Sequence, residues 1–331
     1  MDYRKLGDTE LEVSTVCLGC WALIGGFTWG DQDEKDSVAA IDAALDAGLN
    51  FLDTAPLYGN GASEELLGRT LGARRDGLVL ASKVGPRDLE AARVRESCEQ
   101  SLVRLKTDRI DLLQVHWPNR NVPIEETVGA LFRLREQGKV RAIGVSNFGI
   151  EDLDAALAVG RIETNQLPYS LLWRAIEFEI QPLCVKRDVG ILCYSPLAQG
   201  LLTGKFASAD DVPKDRARNR LFSKDRPHSR HDEAGCEQAA FAGIAELRKI
   251  AAELGQPMGQ IALAWLLEQP GVTSVIAGAR NPEQACQNVA AADIRLPAET
   301  IRRLSAATDA VRAAIGSNAD MWQAGDEARI R

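Results

Sequence analysis

The chain has 331 residues, 45% hydrophobic and 26% charged, the balance of an ordinary soluble globular protein with material for a large core. Its 39 basic and 47 acidic side chains leave a net charge of −8; the basic residues are spread out, with their densest cluster in one central segment, which argues against a nucleic-acid surface. No apolar run approaches a membrane span, and the start, Met1 to Gly7, lacks a signal peptide's apolar region, so the expectation is a cytoplasmic protein with no membrane partner.

Tyr3 to Val13 predicts a short hairpin turning at Gly7-Asp8. Short apolar runs at residues 16–20, 49–54, 78–84, 110–115, 140–145, 162–166, 190–194 and 273–277 then predict eight strands. Between them the periodicity is helical. In Leu89 to Leu105, the residues Leu89, Val94, Cys98, Leu102 and Leu105 form one face, and Arg93, Arg95, Glu96, Glu99 and Arg104 form the solvated one. Similar segments run from Glu34 to Ala47, Ser63 to Leu71, Ile124 to Gln137, Glu151 to Val159 and Ile176 to Arg187. Strands that alternate with helices pair in parallel through right-handed crossovers. Eight such units predict an α/β fold, a (β/α)8 TIM barrel with the hairpin before it. The doubly wound alternative announces its phosphate site by G-x-G-x-x-G after the first strand, and Gly19-Cys20-Trp21 continues without it.

The gap before the eighth strand is about 80 residues, against about 20–35 elsewhere, and within it 206–232 is a long polar loop. Such a loop is a candidate lid over a ligand, the other reading being a disordered insertion. Phe241 to Leu254 and Met258 to Glu268 read as helices, the second apolar enough to be well buried, and Pro297 to Val311 as an additional helix outside the barrel. The polar tail, 312–331, carries a lone Trp322. No repeat or linker divides the chain, so 1–331 is expected to be one domain. The seven scattered cysteines read as reduced thiols; Cys17 and Cys20 form a C-x-x-C inside a predicted strand with no second pair to complete a metal site, and no metal is expected.

In a parallel barrel the loops after the strands share one face, where functional groups gather. The predicted strand ends offer Asp53 and Tyr58, Lys83, His116, Ser146-Asn147, Asn165-Gln166, Tyr194-Ser195 and Gly278-Ala279-Arg280. Singly, a strand-end lysine is an ordinary solvated gatekeeper and a lone histidine an ordinary core residue. Together at one mouth, Asp, Tyr, Lys and His make a workable proton relay.

Leu52-Asp53-Thr54-Ala55-x-x-Tyr58-Gly59, Ser82-Lys83, Leu112-Leu113-Gln114-Val115-His116, Gly144-Val145-Ser146-Asn147-Phe148 and Tyr194-Ser195-Pro196-Leu197 stand in the order of one known pattern. From about residue 3 to 310 the chain resembles the aldo-keto reductase superfamily, above all its bacterial branch of monomeric or loosely associated reductases related to potassium-channel β subunits. The resemblance implies NADPH-dependent reduction of a small carbonyl compound, with a tetrad of Asp53, Tyr58, Lys83 and His116. Tyr58 gives the proton, Lys83 lowers its pKa by about 1–3 units, Asp53 holds Lys83 charged, and His116 orients the carbonyl oxygen.

For the cofactor the resemblance implies Ser146, Asn147 and Gln166 at the carboxamide and Tyr194 stacked on the nicotinamide. The pyrophosphate loop runs from Ser195 to Lys205, including Leu197, Gln199, Gly200 and Leu201. The adenosine segment holds Gly278, Arg280, Gln284 and Asn288, with Arg280 on the 2′-phosphate; Ala277 stands where the family has proline. Trp21, Trp29 and Trp117 are expected to ring an apolar substrate mouth, and Arg218, Arg220 and Arg226 are candidates to meet a phosphate or carboxylate. Two other functions compete: a nucleotide-bound regulatory or redox-sensor subunit with little turnover, and a barrel lyase using Lys83 as a Schiff-base amine.

Overall fold

The computed structural model describes all 331 residues. β1 (Tyr3–Lys5) and β2 (Glu12–Ser14) form the antiparallel hairpin. Its Leu6, Leu11 and Val13 pack with Cys17, Phe51, Val79, Ala81, Leu112, Ala142, Leu192 and Ile276, apolar side chains of the barrel strands. The hairpin therefore plugs the end at which the strands begin and leaves the other end for function.

Eight strands close the barrel in sequence order: β3 (Val16–Gly19), β4 (Phe51–Asp53), β5 (Val79–Val84), β6 (Ile110–Val115), β7 (Val140–Ser146), β8 (Thr164–Pro168), β9 (Gly190–Tyr194) and β10 (Val272–Gly278), all pairing in parallel and β10 returning to β3. Strands buried on both faces need continuous apolar runs. Ile110-Asp111-Leu112-Leu113-Gln114-Val115 is buried throughout, so its two polar members must find partners inside. Asp111 accepts from Leu80 N and pairs with Arg75 and Arg141; Gln114 turns to the site described below. At the end of β10, Ala277 pairs with Leu18 and Gly278 with Gly19, a ladder position in which Ala277, unlike the family's proline, keeps an N–H.

The outer layer begins with α1 (Glu34–Asp46), whose first turn is capped by the Asp33 carboxylate accepting from Lys35 N. α2 (Ala62–Thr70), α3 (Ala91–Leu105), α4 (Ile124–Glu136), α5 (Ile150–Val159) and α6 (Ile180–Lys186) follow their strands. α3 buries Val94, Cys98 and Leu105 of the predicted face together with Ser101, leaves Leu102 half-buried, and ends at Lys106 in the left-handed region. α6 is shorter than expected, because Ala175–Glu177 forms a separate 3-10 turn before it. After α7 (Glu237–Glu253) and the buried α8 (Met258–Leu267), the segment after β10 forms a helix, α9 (Pro282–Ala290), capped by Asn281 accepting from Gln284 N with Pro282 at its first position. The single C-terminal helix expected is two, α10 (Ala298–Ala306) and α11 (Asp309–Ile315), broken at Thr308.

The 206–232 loop has anchors: Val212, Ala217, Leu221 and Phe222 are buried. Arg220, only 3% exposed, donates to the carbonyls of Ile315, Asn318 and Asp320 and pairs with Glu233. Arg226 pairs with Asp210 and Glu237 on the surface. Both are therefore structural, contrary to the expectation that they meet a ligand. The tail is tied down too: buried Asp320 receives Trp322 N and both the backbone and the guanidinium of Arg329. The last residue lies so close to Gly149 that a Cβ there would stand 2.1 Å from the Arg331 carbonyl oxygen. No helix is long and apolar enough to cross a membrane.

Candidate active site

A cleft of about 720 Å³ opens where the barrel strands end. At its base, β4 delivers Asp53 and the turn after it delivers Tyr58, while β5 delivers Lys83 from beneath. The Lys83 ammonium donates to Asp53 Oδ1 at 2.6 Å, to the Thr54 carbonyl at 2.9 Å and to the Tyr58 hydroxyl oxygen at 3.1 Å. Its three protons are thereby used, and the phenol keeps its own O–H to donate into the cleft. Lys83 is fully buried and Asp53 1% exposed. Burial works against the ammonium's charge, but Asp53 and Tyr58 outweigh it and hold the Lys83 pKa above its ordinary value.

Asp53 Oδ2 accepts from Gln166 Nε2 at 2.8 Å and from Gln114 Nε2 at 3.2 Å, and Gln166 Nε2 also reaches Gln114 Oε1 at 3.3 Å. The carboxylate fixes the orientation of both amides, since only their NH2 ends satisfy it. With its donors engaged, Gln166 has its carbonyl oxygen left for a ligand.

Burial pushes the Tyr58 phenol up from its ordinary value, and the Lys83 ammonium pulls it down without cancelling the rise. The expectation of a lowered phenol pKa is thus corrected for the free protein. Desolvation, followed by the Lys83 charge, holds His116 well below the usual histidine range, so the imidazole is neutral with one N–H. Its ring meets the Tyr58 ring edge-on at 5.9 Å, its backbone carbonyl accepts from Asn147 Nδ2 at 3.0 Å, and its Nδ1 is buried with no partner.

Along one side, Asn147 Oδ1 accepts from the Tyr194 hydroxyl at 2.9 Å, and Ser146 Oγ donates to the Gln166 carbonyl at 3.0 Å. Asn147, Ser195, Ala198 and Gln199 all have positive φ (63°, 51°, 45° and 56°), unusual for residues with a side chain and found where loops are shaped around ligands. Gly200 has φ 98°, and a Cβ there would lie 3.0 Å from Lys205. Both polar atoms of the Gln199 side chain are buried without a partner. At this end Lys205, Arg216 and Arg280 come together, and no carboxylate pairs with them. Desolvation, then Arg216 and Arg280, push the Lys205 pKa down. The Arg280 guanidinium donates to Gln32 Oε1 at 2.7 Å and to the Asp31 carbonyl, and the Arg280 backbone N–H donates to Gln284 Oε1; Asn288 donates to the Gly278 carbonyl.

Another part of the lining is aromatic. Trp21 stacks on Tyr58 at 6.0 Å and meets Trp29 edge-on at 5.4 Å, and Trp117 lies beneath the Arg329 guanidinium at 3.8 Å. Of the tetrad, the cofactor residues and the three tryptophans named from the sequence, all line the cleft except Lys83 and Leu201. Lys83 lies under Tyr58, and the Leu201 side chain, 2% exposed, packs into the apolar core. Sequence reasoning missed Gln114 as a partner of Asp53, and Arg216, Arg230, Trp322 and Arg329 as cleft residues.

The Aldo/keto reductase family model matches residues 15–309. The aldo-keto reductase YhdN of Bacillus subtilis (strain 168) is 40% identical over 295 residues, 86% of each chain. The NADH-specific methylglyoxal reductase of Escherichia coli (strain K12) is 35% identical over 88% of this chain and 93% of its own. A probable voltage-gated potassium channel subunit beta of Arabidopsis thaliana is 33% identical over 89% of this chain and 92% of its own. An aldo-keto reductase of Klebsiella pneumoniae solved with NADPH superposes with a TM-score of 0.73 at 30% identity, covering 93% of this chain and 96% of that one. The chain belongs to the aldo/keto reductase family of oxidoreductases.

Proposed function

We propose that this protein is an NADPH-dependent reductase of aldehydes and ketones in which Tyr58 is the proton donor. The observation that carries the reading is the Lys83 ammonium placed between Asp53 and the Tyr58 oxygen at 2.6 and 3.1 Å. A bound nicotinamide supplies hydride to the carbonyl carbon. The phenol O–H of Tyr58 gives its proton to the carbonyl oxygen, and Lys83 stabilises the phenolate that remains. Asp53 keeps Lys83 charged in a dry site, and neutral His116 donates its N–H to the same oxygen and fixes the substrate's angle.

The residues present fit the dinucleotide. The free carbonyl oxygen of Gln166, with Ser146 and Asn147 beside it, suits the carboxamide, and Tyr194 presents a ring for the nicotinamide. Unpartnered Gln199 and the left-handed turns around it suit a ligand that brings its own hydrogen-bonding groups. The cations Lys205, Arg216 and Arg280 suit phosphates. Asp53 is the only acidic residue lining the cleft, and Glu283 accepts instead from Gln287 at 3.0 Å. A free ribose 2′-hydroxyl therefore has no carboxylate to meet, which favours NADPH, although one relative is named as NADH-specific. The 206–232 loop, which brings Arg216 to Lys205 and Arg280, acts in this reading as the cofactor's cover. Trp21, Trp29 and Trp117 take the apolar body of the substrate.

The regulatory alternative draws on the relative named as a channel subunit. It is separated by NADPH consumption with 4-nitrobenzaldehyde and a panel of aldehydes and ketones. Saturable turnover supports the reductase; stoichiometric NADPH binding without turnover of any member contradicts it. A Schiff base at Lys83 is disfavoured, because the amine is buried, protonated and bonded on all three sides.

A further inference from the structure

Outside the nucleotide end, two more cations line the cleft with nothing assigned to them, Arg218 and Arg230. Their neighbours Arg220 and Arg226 are tied to Glu233 and Glu237, but neither Arg218 nor Arg230 has a carboxylate within ion-pairing distance. Arg218 is half-buried: its Nε donates to the Asp215 carbonyl at 2.8 Å and a terminal nitrogen to Thr28 Oγ1 at 3.4 Å. Its guanidinium lies 4.6 Å from the Trp322 ring and 5.8 Å from that of Phe27. Burial and then Arg230 work against its charge, with the Asp215 carboxylate as partial compensation; that carboxylate lies 3.6 Å from His228.

The contacts place Arg218 on the His116 side, with the Arg230 charge acting on it. Trp117 follows His116 and carries Arg329 on its face; Arg329 is held by Asp320, which accepts from Trp322 N, and Trp322 carries Arg218. Thr28 lies between Arg216 and Arg218 as a shared partner, its carbonyl taking Arg216 and its hydroxyl Arg218. Arg329 is neutralised by Asp320, and Asp53 by Lys83. In a protein of net charge −8, two cations without an ion-pair partner at an aromatic mouth are not a by-product of a basic surface.

We propose that Arg218 and Arg230 form an anion subsite at the rim of the cleft, so that the carbonyl compounds reduced here carry a carboxylate or phosphate at the end remote from the carbonyl. The proposal rests on the reductase reading above. The aldehyde or ketone group lies at Tyr58 and His116, the body passes along Trp21, Trp29, Trp117 and Trp322, and the anionic end meets the two guanidiniums. Arg218, held from behind by Thr28 and Asp215, is the rigid half of the subsite.

The test compares kcat/KM for ω-oxo acids of increasing chain length, 4-formylbenzoate and 4-formylphenyl phosphate with the corresponding methyl esters and with 4-nitrobenzaldehyde. Anionic substrates are expected to lead their neutral counterparts by about tenfold, chiefly through KM, the scale of one charged hydrogen bond. The lead should shrink in ~1 M salt, which screens exposed charge. Arg218→Gln and the exposed Arg230→Gln should each reduce it, and the double variant should bring the ratio to about one while NADPH affinity stays within about twofold. Equal rates for acids and esters in the wild type would overturn the subsite and leave the reductase standing. So would a double variant that keeps the preference, or one that loses NADPH affinity in step with it. If no carbonyl compound is turned over, both readings fall. The carboxylate and phosphate arms show which anion the pair takes.

Discussion

Lys83→Met separates the two things the buried lysine does. In the wild type its ammonium is the sole cation bonded to Asp53, a carboxylate 1% exposed. Without it, Asp53 keeps only the amides of Gln166 and Gln114 at 2.8 and 3.2 Å. Removing one partner of a buried pair costs about 3–5 kcal/mol. Unfolding entropy of about 2.1 cal/mol/K per residue over 331 residues amounts to about 0.7 kcal/mol/K, so Tm falls by about 4–7 °C. Asp53→Asn combined with Lys83→Met buries no charge and should recover most of that loss, because a buried ion pair itself contributes little net stability. Both variants should lose carbonyl reduction by about two orders of magnitude, since neither leaves an ammonium facing Tyr58. Thermal unfolding followed by circular dichroism, alongside NADPH consumption, checks both. A single variant melting within about 1 °C of the wild type, or a double variant no more stable than the single, would refute the argument from an uncompensated Asp53.

Arg280→Ala should weaken NADPH binding by about 10- to 150-fold and leave NADH nearly untouched; fluorescence titration of both cofactors measures it, and equal wild-type affinities would place the reading of the phosphate elsewhere. The pH profile follows from His116 and Tyr58. Reduction needs a protonated phenol, whose pKa burial raises, and a neutral imidazole, whose pKa is held well below its usual range. kcat/KM should therefore be flat from about pH 6.5 to 9 and fall only as Tyr58 loses its proton above about pH 10; an inflection near the ordinary histidine value would contradict it. In the 206–232 loop, NADPH should slow tryptic cleavage at the exposed Lys224 and Arg230, and equal digestion with and without cofactor would count against a cover.

The barrel was legible because its information is local: an apolar run buried on both faces reads the same in the chain as in the sheet, and all eight strands start within two residues of their expected positions. The tetrad was legible because consecutive strand ends share one mouth. Gln114 was not, for it sits in an apolar strand like any core residue, and its role depends on Asp53 and Gln166 arriving from two other strands. The Arg216-Ala217-Arg218-Asn219-Arg220 run shows the same limit. Its alternation says nothing of which guanidinium faces the cleft, because the tail carbonyls that bind Arg220 lie about 100 residues away, beyond any local pattern. The tail itself was read only as polar with a lone Trp322, yet buried Asp320 fixes it so that Trp322 and Arg329 line the site.

The central claim, proton donation by Tyr58, is tested most directly by Tyr58→Phe. The substitution removes the hydroxyl that meets Lys83 at 3.1 Å and keeps the ring that stacks on Trp21. NADPH binding should be nearly intact while single-turnover reduction of an aldehyde falls by about two orders of magnitude or more, the scale of a lost general acid. Single-turnover reduction by Tyr58→Phe at near the wild-type rate would show that the proton comes from another group.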